Sequence, residues 1–295
     1  MTHAKLADAD LRFNACLAFT LKYEGGRSND PRDPGGRTME GVTQATYDSF
    51  RDHGKVARRS VFAMSAAERD EIYRTRYWNA INGDDLRPGE DLCVFDFAVN
   101  SGPARARAIW KSCGGSNRLP ADVVHDICAH RLSFLRALRT WKYFGRGWGR
   151  RVAACEALAT SMVHGKAAPA VLPKKASEAK HRSGKASTMA TVGASVAGSA
   201  GIAHYMATGS TVAAIAAAVI VLLGGGIFFF QSWRHGQRAD ALINAASKQK
   251  EEHAELAQKT ETIKQAQQAA TAKVAIADLE SKPPAVTKAK KGSAK

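Results

Sequence analysis

Apolar side chains return every three or four residues in three stretches of the N-terminal half. Phe13, Leu17, Thr20, Leu21 and Glu24 fall on one face of a helix that Gly25-Gly26 brings to an end. Leu92, Phe95, Asp96 and Val99 repeat the pattern in a second helix, closed by Ser101-Gly102-Pro103. Val124, Ile127, Cys128, Leu132, Leu135 and Leu138 mark a third. No run alternates well enough to force a large sheet. The cluster Pro31, Pro34, Gly35 and Gly36 predicts only a short hairpin between Asn29 and Thr43. The expected fold class is therefore mostly α with a small hairpin.

The pattern changes near Gly165. Residues 166–185 read K-A-A-P-A-V-L-P-K-K-A-S-E-A-K-H-R-S-G-K, the composition of a linker rather than of a core. From Ala186 to Trp233 there is no Lys, Arg, Asp or Glu. Within that stretch Thr211–Phe230 is uncharged and mostly apolar, and as a helix it would be about 30 Å long, the thickness of a bilayer's hydrocarbon core. Trp233, Arg234 and His235 follow as an interfacial flank. Whether residues 187–209 form a second span is left open by their Gly and Ser content, and topology is left open by basic residues on both sides. Further on, Leu242, Leu256, Ile263 and Ala270 share a seven-residue register interrupted at Gln249, which predicts a long exposed helix with weak coiled-coil potential. The last residues are basic and are expected to be disordered.

Composition adds a partner class. The 295 residues carry 43 Lys and Arg against 27 Asp and Glu, a formal charge of +16, which suits an anionic partner such as nucleic acid, anionic lipid or cell wall. No helix-turn-helix, zinc-finger or RNA-binding signature accompanies the charge, so nucleic acid is set aside. The five cysteines, Cys16, Cys93, Cys113, Cys128 and Cys155, lack C-x-x-C or His-rich spacing. That argues against a disulfide framework or a zinc site and fits thiols kept reduced. The opening M-T-H-A-K-L-A-D-A-D shows no secretory signal pattern.

The passage Lys22–Gln44, K-Y-E-G-G-R-S-N-D-P-R-D-P-G-G-R-T-M-E-G-V-T-Q, carries the candidate chemistry. Glu24 prolongs the buried stripe of its helix, and a carboxylic acid so placed is expected to be desolvated, which favours its protonated form. Gly25 and Gly26 leave room for a bulky substrate. Asp33 and Thr38 follow in the same Gly-rich turn. A protonated Glu facing an ionised Asp suits cleavage of a glycosidic bond, the first protonating the leaving oxygen and the second activating water or balancing the developing cation. Outside such a motif, a Glu at a helix end is more often a cap or an ion pair.

The block E-G-G-x-x-N-D-P-x-D-P-G-G-x-T-x-x-G-V-T-Q resembles the glycoside hydrolase family 108 N-acetylmuramidases, phage endolysins and related bacterial proteins. V-F-D-F-A-V-N-S-G-P (residues 94–103) resembles that family's second recurrent block. The resemblance implies a lysozyme-like catalytic domain over residues 1–103, Glu24 as catalytic acid, and peptidoglycan glycan strands as substrate, with no metal or cofactor. The trio Glu24, Asp33 and Thr38 is also similar to the Glu–Asp–Thr triad of phage-type lysozymes, though its Asp-to-Thr spacing is one residue shorter. Arg27 stands where the family usually has an aromatic residue, and Met39-Glu40 replaces a commoner pair. Residues 104–165 resemble the small peptidoglycan-binding domain that often follows.

Substrate contacts are expected from Thr43, Gln44, Asp96, Asn100, Trp141 and Trp148, with Arg146, Arg150 and Arg151 meeting muropeptide carboxylates. Two alternatives stay open: Trp141 packs its helix against the first domain, or Asp96 belongs to a buried polar network. The organisation expected beyond residue 165 is a linker (166–186), a membrane segment (187–233, span about 211–230), a polar helix (234–280) that offers a route to self-association, and a basic tail (281–295). The expected protein is a muramidase tethered to the bacterial inner membrane by one helix through the bilayer, of phage or prophage origin, made without a signal peptide. The rivals are a lytic transglycosylase and a non-catalytic wall-binding anchor.

Overall fold

The computed structural model describes residues 3–29, 36–208 and 227–252, with 254, 255, 258 and 262. Helix α1 (His3–Leu21) turns Phe13, Cys16, Leu17 and Thr20 inward, all buried, as their spacing requires. It stops three residues before Glu24. The amides of Lys22, Tyr23 and Glu24 then donate to the carbonyls of Phe19, Thr20 and Leu21, a tightened last turn that carries Glu24 off the helix.

Strands β1 (Thr38–Met39) and β2 (Val42–Thr43) form an antiparallel hairpin with Thr38 opposite Thr43. Its two-residue turn, Glu40-Gly41, has both φ angles positive, 46° and 77°, the geometry whose twist matches a tight hairpin. Ser28 exchanges both backbone hydrogen bonds with Thr38 on the hairpin's other side. The chain just after Glu24 is thereby fastened to β1.

Helix α2 (Gln44–His53) is capped by Thr43, and α3 (Ala66–Tyr73) starts with a Ser65/Glu68 capping box. Every residue from Glu90 to Ala98 of α4 (Glu90–Ser101) is buried, so this helix is the axis of the fold. Its acidic first turn is tolerated because each charge has a partner. Glu90 accepts from Arg87 and from Trp110 Nε1, and Asp91 from Arg12 at 2.7 Å. Phe13, Trp78 and Phe95 meet edge to face beside it at 5.5–5.9 Å, and burying each such ring is worth about 1.5–3 kcal/mol. Helices α5 (Pro103–Ser112), α6 (Pro120–Arg136) and α7 (Trp141–His164) complete the same core. Gly89, at φ 87°, lets α4 begin against α7, where a Cβ would stand 2.4 Å from the Ala159 carbonyl oxygen.

Two expectations change. One hydrophobic cluster runs from Phe13 to Ala159, so among the described residues the segments before and after residue 103 share a core. Residues 166–186, read as a linker, are a short turn followed by the start of α8 (Ala168–Thr208). Its Ala168, Leu172 and Ala176 are buried against Ala157 of α7 and against Leu242 and Ala246 of a further helix, α9 (residues 227–246). Ser183 meets Ser232 while Leu172 meets Leu242, so α8 and α9 run antiparallel.

Trp233, expected at a membrane interface, lies against Gly149 and 6.0 Å from Trp141, while Arg238 forms an ion pair with buried Glu156 at 2.7 Å. Leu242, expected on an exposed register, is covered. No described helix is long and apolar enough to cross a membrane. Most of the span expected at Thr211–Phe230, residues 211–226, lies outside the described residues, as do Asp33 and the basic tail. Residues 1–246 form one unit and 247–295 a second. Within the second, residues 247–252 are helical, with Lys248 and Glu252 paired at 3.6 Å.

Candidate active site

Glu24 leaves α1 with its side chain 20% exposed. The sequence suggests an apolar setting; the structure gives it a guanidinium. Arg151 Nη2, from α7, donates to Glu24 Oε1 at 3.0 Å. The rest of that guanidinium belongs to Asp96 of α4, which accepts from Arg151 Nη2 at 2.7 Å and from Nε at 3.2 Å. Asp96 also accepts from Arg131 Nη1 of α6 at 2.6 Å and from the Thr20 hydroxyl of α1 at 3.0 Å. Burial alone would push the Asp96 carboxyl up, but Arg131 and Arg151 hold it below the usual carboxylate range. Four elements thus meet in one polar network, and only Glu24 extends from it toward solvent.

The hairpin closes the other side. A Cβ on Gly41 would stand 3.2 Å from Glu24 Oε2 and 2.4 Å from the Tyr73 hydroxyl. Tyr73 donates to the Glu40 carbonyl at 2.9 Å and Arg69 Nη1 to the Glu40 carboxylate at 2.9 Å, so α3 grips the turn. Burial, with the Glu24 charge next, pushes the Tyr73 hydroxyl far above its ordinary value, so it stays protonated and acts as a donor. The Arg151 guanidinium lies 5.2 Å from the Tyr23 ring centroid. Gly25 and Gly26 face open space: a Cβ at either would meet nothing within 4 Å.

Other expected site residues are placed differently. Thr38 is partly buried and its hydroxyl donates to the Gly36 carbonyl. Thr43 spends its hydroxyl on the cap of α2. Gln44 is a clip: its amide donates to Asp48 and to the Arg59 carbonyl and accepts from the Val61 amide. Asp96 is wholly buried, the polar-network alternative, whereas Asn100 one turn later is exposed. Arg151, expected to meet muropeptide carboxylates, is buried on the protein's own, while Arg146 and Arg150 are exposed. Trp141 and Trp148 are partly buried and pack together at 6.2 Å; Trp141 also lines a groove with Arg136, Lys142, Arg146 and Phe230. Arg27 stacks its guanidinium on Phe62 at 4.1 Å. Tyr73 and Gly41 are the candidate-site residues that sequence reasoning missed, and Arg151 it assigned to the substrate rather than to Glu24 and Asp96; the signal for that pairing was a carboxylate on the inward stripe of each of two helices, which calls for a cation.

Residues 17–102 match the glycosyl hydrolase 108 family. Among solved structures, Brucella abortus SagA is 30% identical, with 52% of this chain and 97% of that chain covered and a TM-score of 0.45. No curated protein matches. The match spans the end of α1, Glu24, the hairpin and the whole of α4, and the chain belongs to the glycosyl hydrolase 108 family and is a glycoside hydrolase.

Proposed function

We propose that the protein is an N-acetylmuramidase, cleaving the β-1,4 bond between N-acetylmuramic acid and N-acetylglucosamine in peptidoglycan. The observation that supports this most is Glu24 itself: a partly exposed carboxyl beside an open diglycine edge, fixed from behind by an arginine that is in turn anchored on a buried aspartate. In the reaction Glu24 gives its proton to the glycosidic oxygen as the C1–O bond breaks. Arg151 then pairs with the carboxylate that forms, which stabilises the charge developing on Glu24 in the transition state. Water adds to C1 and yields its proton to a base; activating that water is one of the two roles open to Asp33, the other being to balance the developing cation. Digestion of purified peptidoglycan with mass spectrometry of the products tests the reading. Reducing muramic ends are expected; anhydro-muramic ends would mean a lytic transglycosylase. Glu24→Gln should lower the rate by about 10²–10⁴-fold with the fold intact, and a folded variant with a tenth of the activity or more would exclude Glu24 as the acid.

The uncharged stretch Thr211–Phe230 supports a second part of the proposal, attachment to the bacterial inner membrane in a phage or prophage lysis context. The full chain should then stay with membranes in about 1 M salt, where charge attraction is screened. Release by salt would rule the span out.

A further inference from the structure

Cys93, Cys128 and Cys155 come from three helices, α4, α6 and α7, and meet in the interior. Their sulfurs all lie within 4.8 Å of one another, with Cys93 to Cys128 at 3.6 Å and Cys93 to Cys155 at 3.9 Å. Each stands one helical turn from a member of the polar network: Cys93 three residues before Asp96, Cys128 three before Arg131, Cys155 four after Arg151. The thiols therefore form a second layer next to the layer that holds Glu24. A cation with metal–sulfur bonds of about 2.3 Å keeps its thiolates about 3.8 Å apart in tetrahedral geometry and about 4.0 Å apart in trigonal geometry. The two closest sulfur pairs already have that spacing.

We propose that Cys93, Cys128 and Cys155 form a three-thiolate site for one thiophilic divalent cation of the zinc class, which ties α4, α6 and α7 together behind Arg151. Soft sulfur ligands select such ions over magnesium or calcium. Binding exchanges three S–H bonds for three metal–sulfur bonds and releases three protons to solvent, so affinity falls as pH falls. The occupied site carries one net negative charge. Arg131 supplies the complement: it is buried, and its Nε has no hydrogen-bond partner among the described residues. The competing arrangement is three thiols packed as small apolar side chains.

The thiols are closed to solvent, so the ion enters as the helices assemble. The test refolds the full chain from denaturant under a phosphine reductant, with cadmium(II) or zinc(II) or with neither. About one ion per chain should survive gel filtration, cadmium should give its thiolate charge-transfer absorption, and the thermal midpoint should rise with free ion. Cys113→Ser, at a buried thiol outside the cluster, should keep the ion; the Cys128→Ser, Cys155→Ser pair should lose it. If that double variant fails to fold, X-ray absorption of the cadmium-loaded unmodified chain decides, with three sulfur ligands expected. No retained ion, an ion kept by the folded double variant, or a shell of nitrogen and oxygen would each overturn the proposal.

Discussion

Arg151 divides its hydrogen bonds unequally: both Nε and Nη2 donate to buried Asp96, and Nη2 alone reaches Glu24. The division has a physical reason. A carboxylate with no exposed surface must be neutralised where it stands, whereas Glu24 can still draw on water. Removing the arginine leaves Asp96 with one described cation, Arg131, beside the neutral Thr20 hydroxyl. Arg151→Met should therefore lower unfolding free energy by about 3–5 kcal/mol in urea titrations, the cost of breaking a buried pair. Arg151→Lys should recover only part of that, because an ammonium cannot reproduce the planar two-nitrogen contact. A Met variant as stable as the parent would mean that Arg131 carries the Asp96 charge unaided.

At the scale of elements, the hairpin beside Glu24 is held by helices on both sides. Glu68 of α3 is central to this: it accepts from the Ser65 amide and hydroxyl, Tyr47, Arg51 and Arg59, tying α3 to α2. Burial would raise its carboxyl, but the Ser65 amide, Arg59 and Tyr47 outweigh it and bring the group down to about 2 from the ordinary 4.5. The sign follows. A carboxyl depressed in the folded state contributes stability that is complete above its unfolded value and disappears as pH falls through its folded one. Stability should thus hold steady above about pH 5 and decline between about pH 4.5 and 2. In Glu68→Gln that decline should be shallower; an identical acid profile in the two proteins would place the acid sensitivity elsewhere.

For the whole molecule, α8 and α9 are part of the fold rather than attachments to it. A chain cut after Lys166 would lose the Arg238 partner of Glu156, the Trp233 ring on Gly149 and the cover over Ala157. The core from Phe13 to Ala159 would remain. Such a fragment should fold, with a thermal midpoint lower than the full chain's by about 5–15 °C, corresponding to about 2–4 kcal/mol of lost apolar burial. Calorimetry of the two forms checks it. Equal midpoints would show that the added helices contribute nothing to stability.

What the sequence determined by itself is local. The spacing of Leu92, Phe95 and Val99, with Gly102-Pro103 after them, specified α4 to its last residue, because helix periodicity and its stop signals act within a few positions. Glu24 stands out as a candidate for the same reason, as a carboxyl set in a dense local motif. Tertiary structure alone decided what touches it. Arg151 is 127 residues away and reaches Glu24 only because α7 packs on α4. The three cysteines share no spacing rule, since their meeting depends on three helices crossing. Ala168, Leu172, Ala176 and Ala179 do repeat at helical intervals, yet Ala- and Lys-rich composition reads as a linker until a partner helix exists to bury them. Periodicity shows which face a helix hides; only the packed chain supplies the surface against which it is hidden.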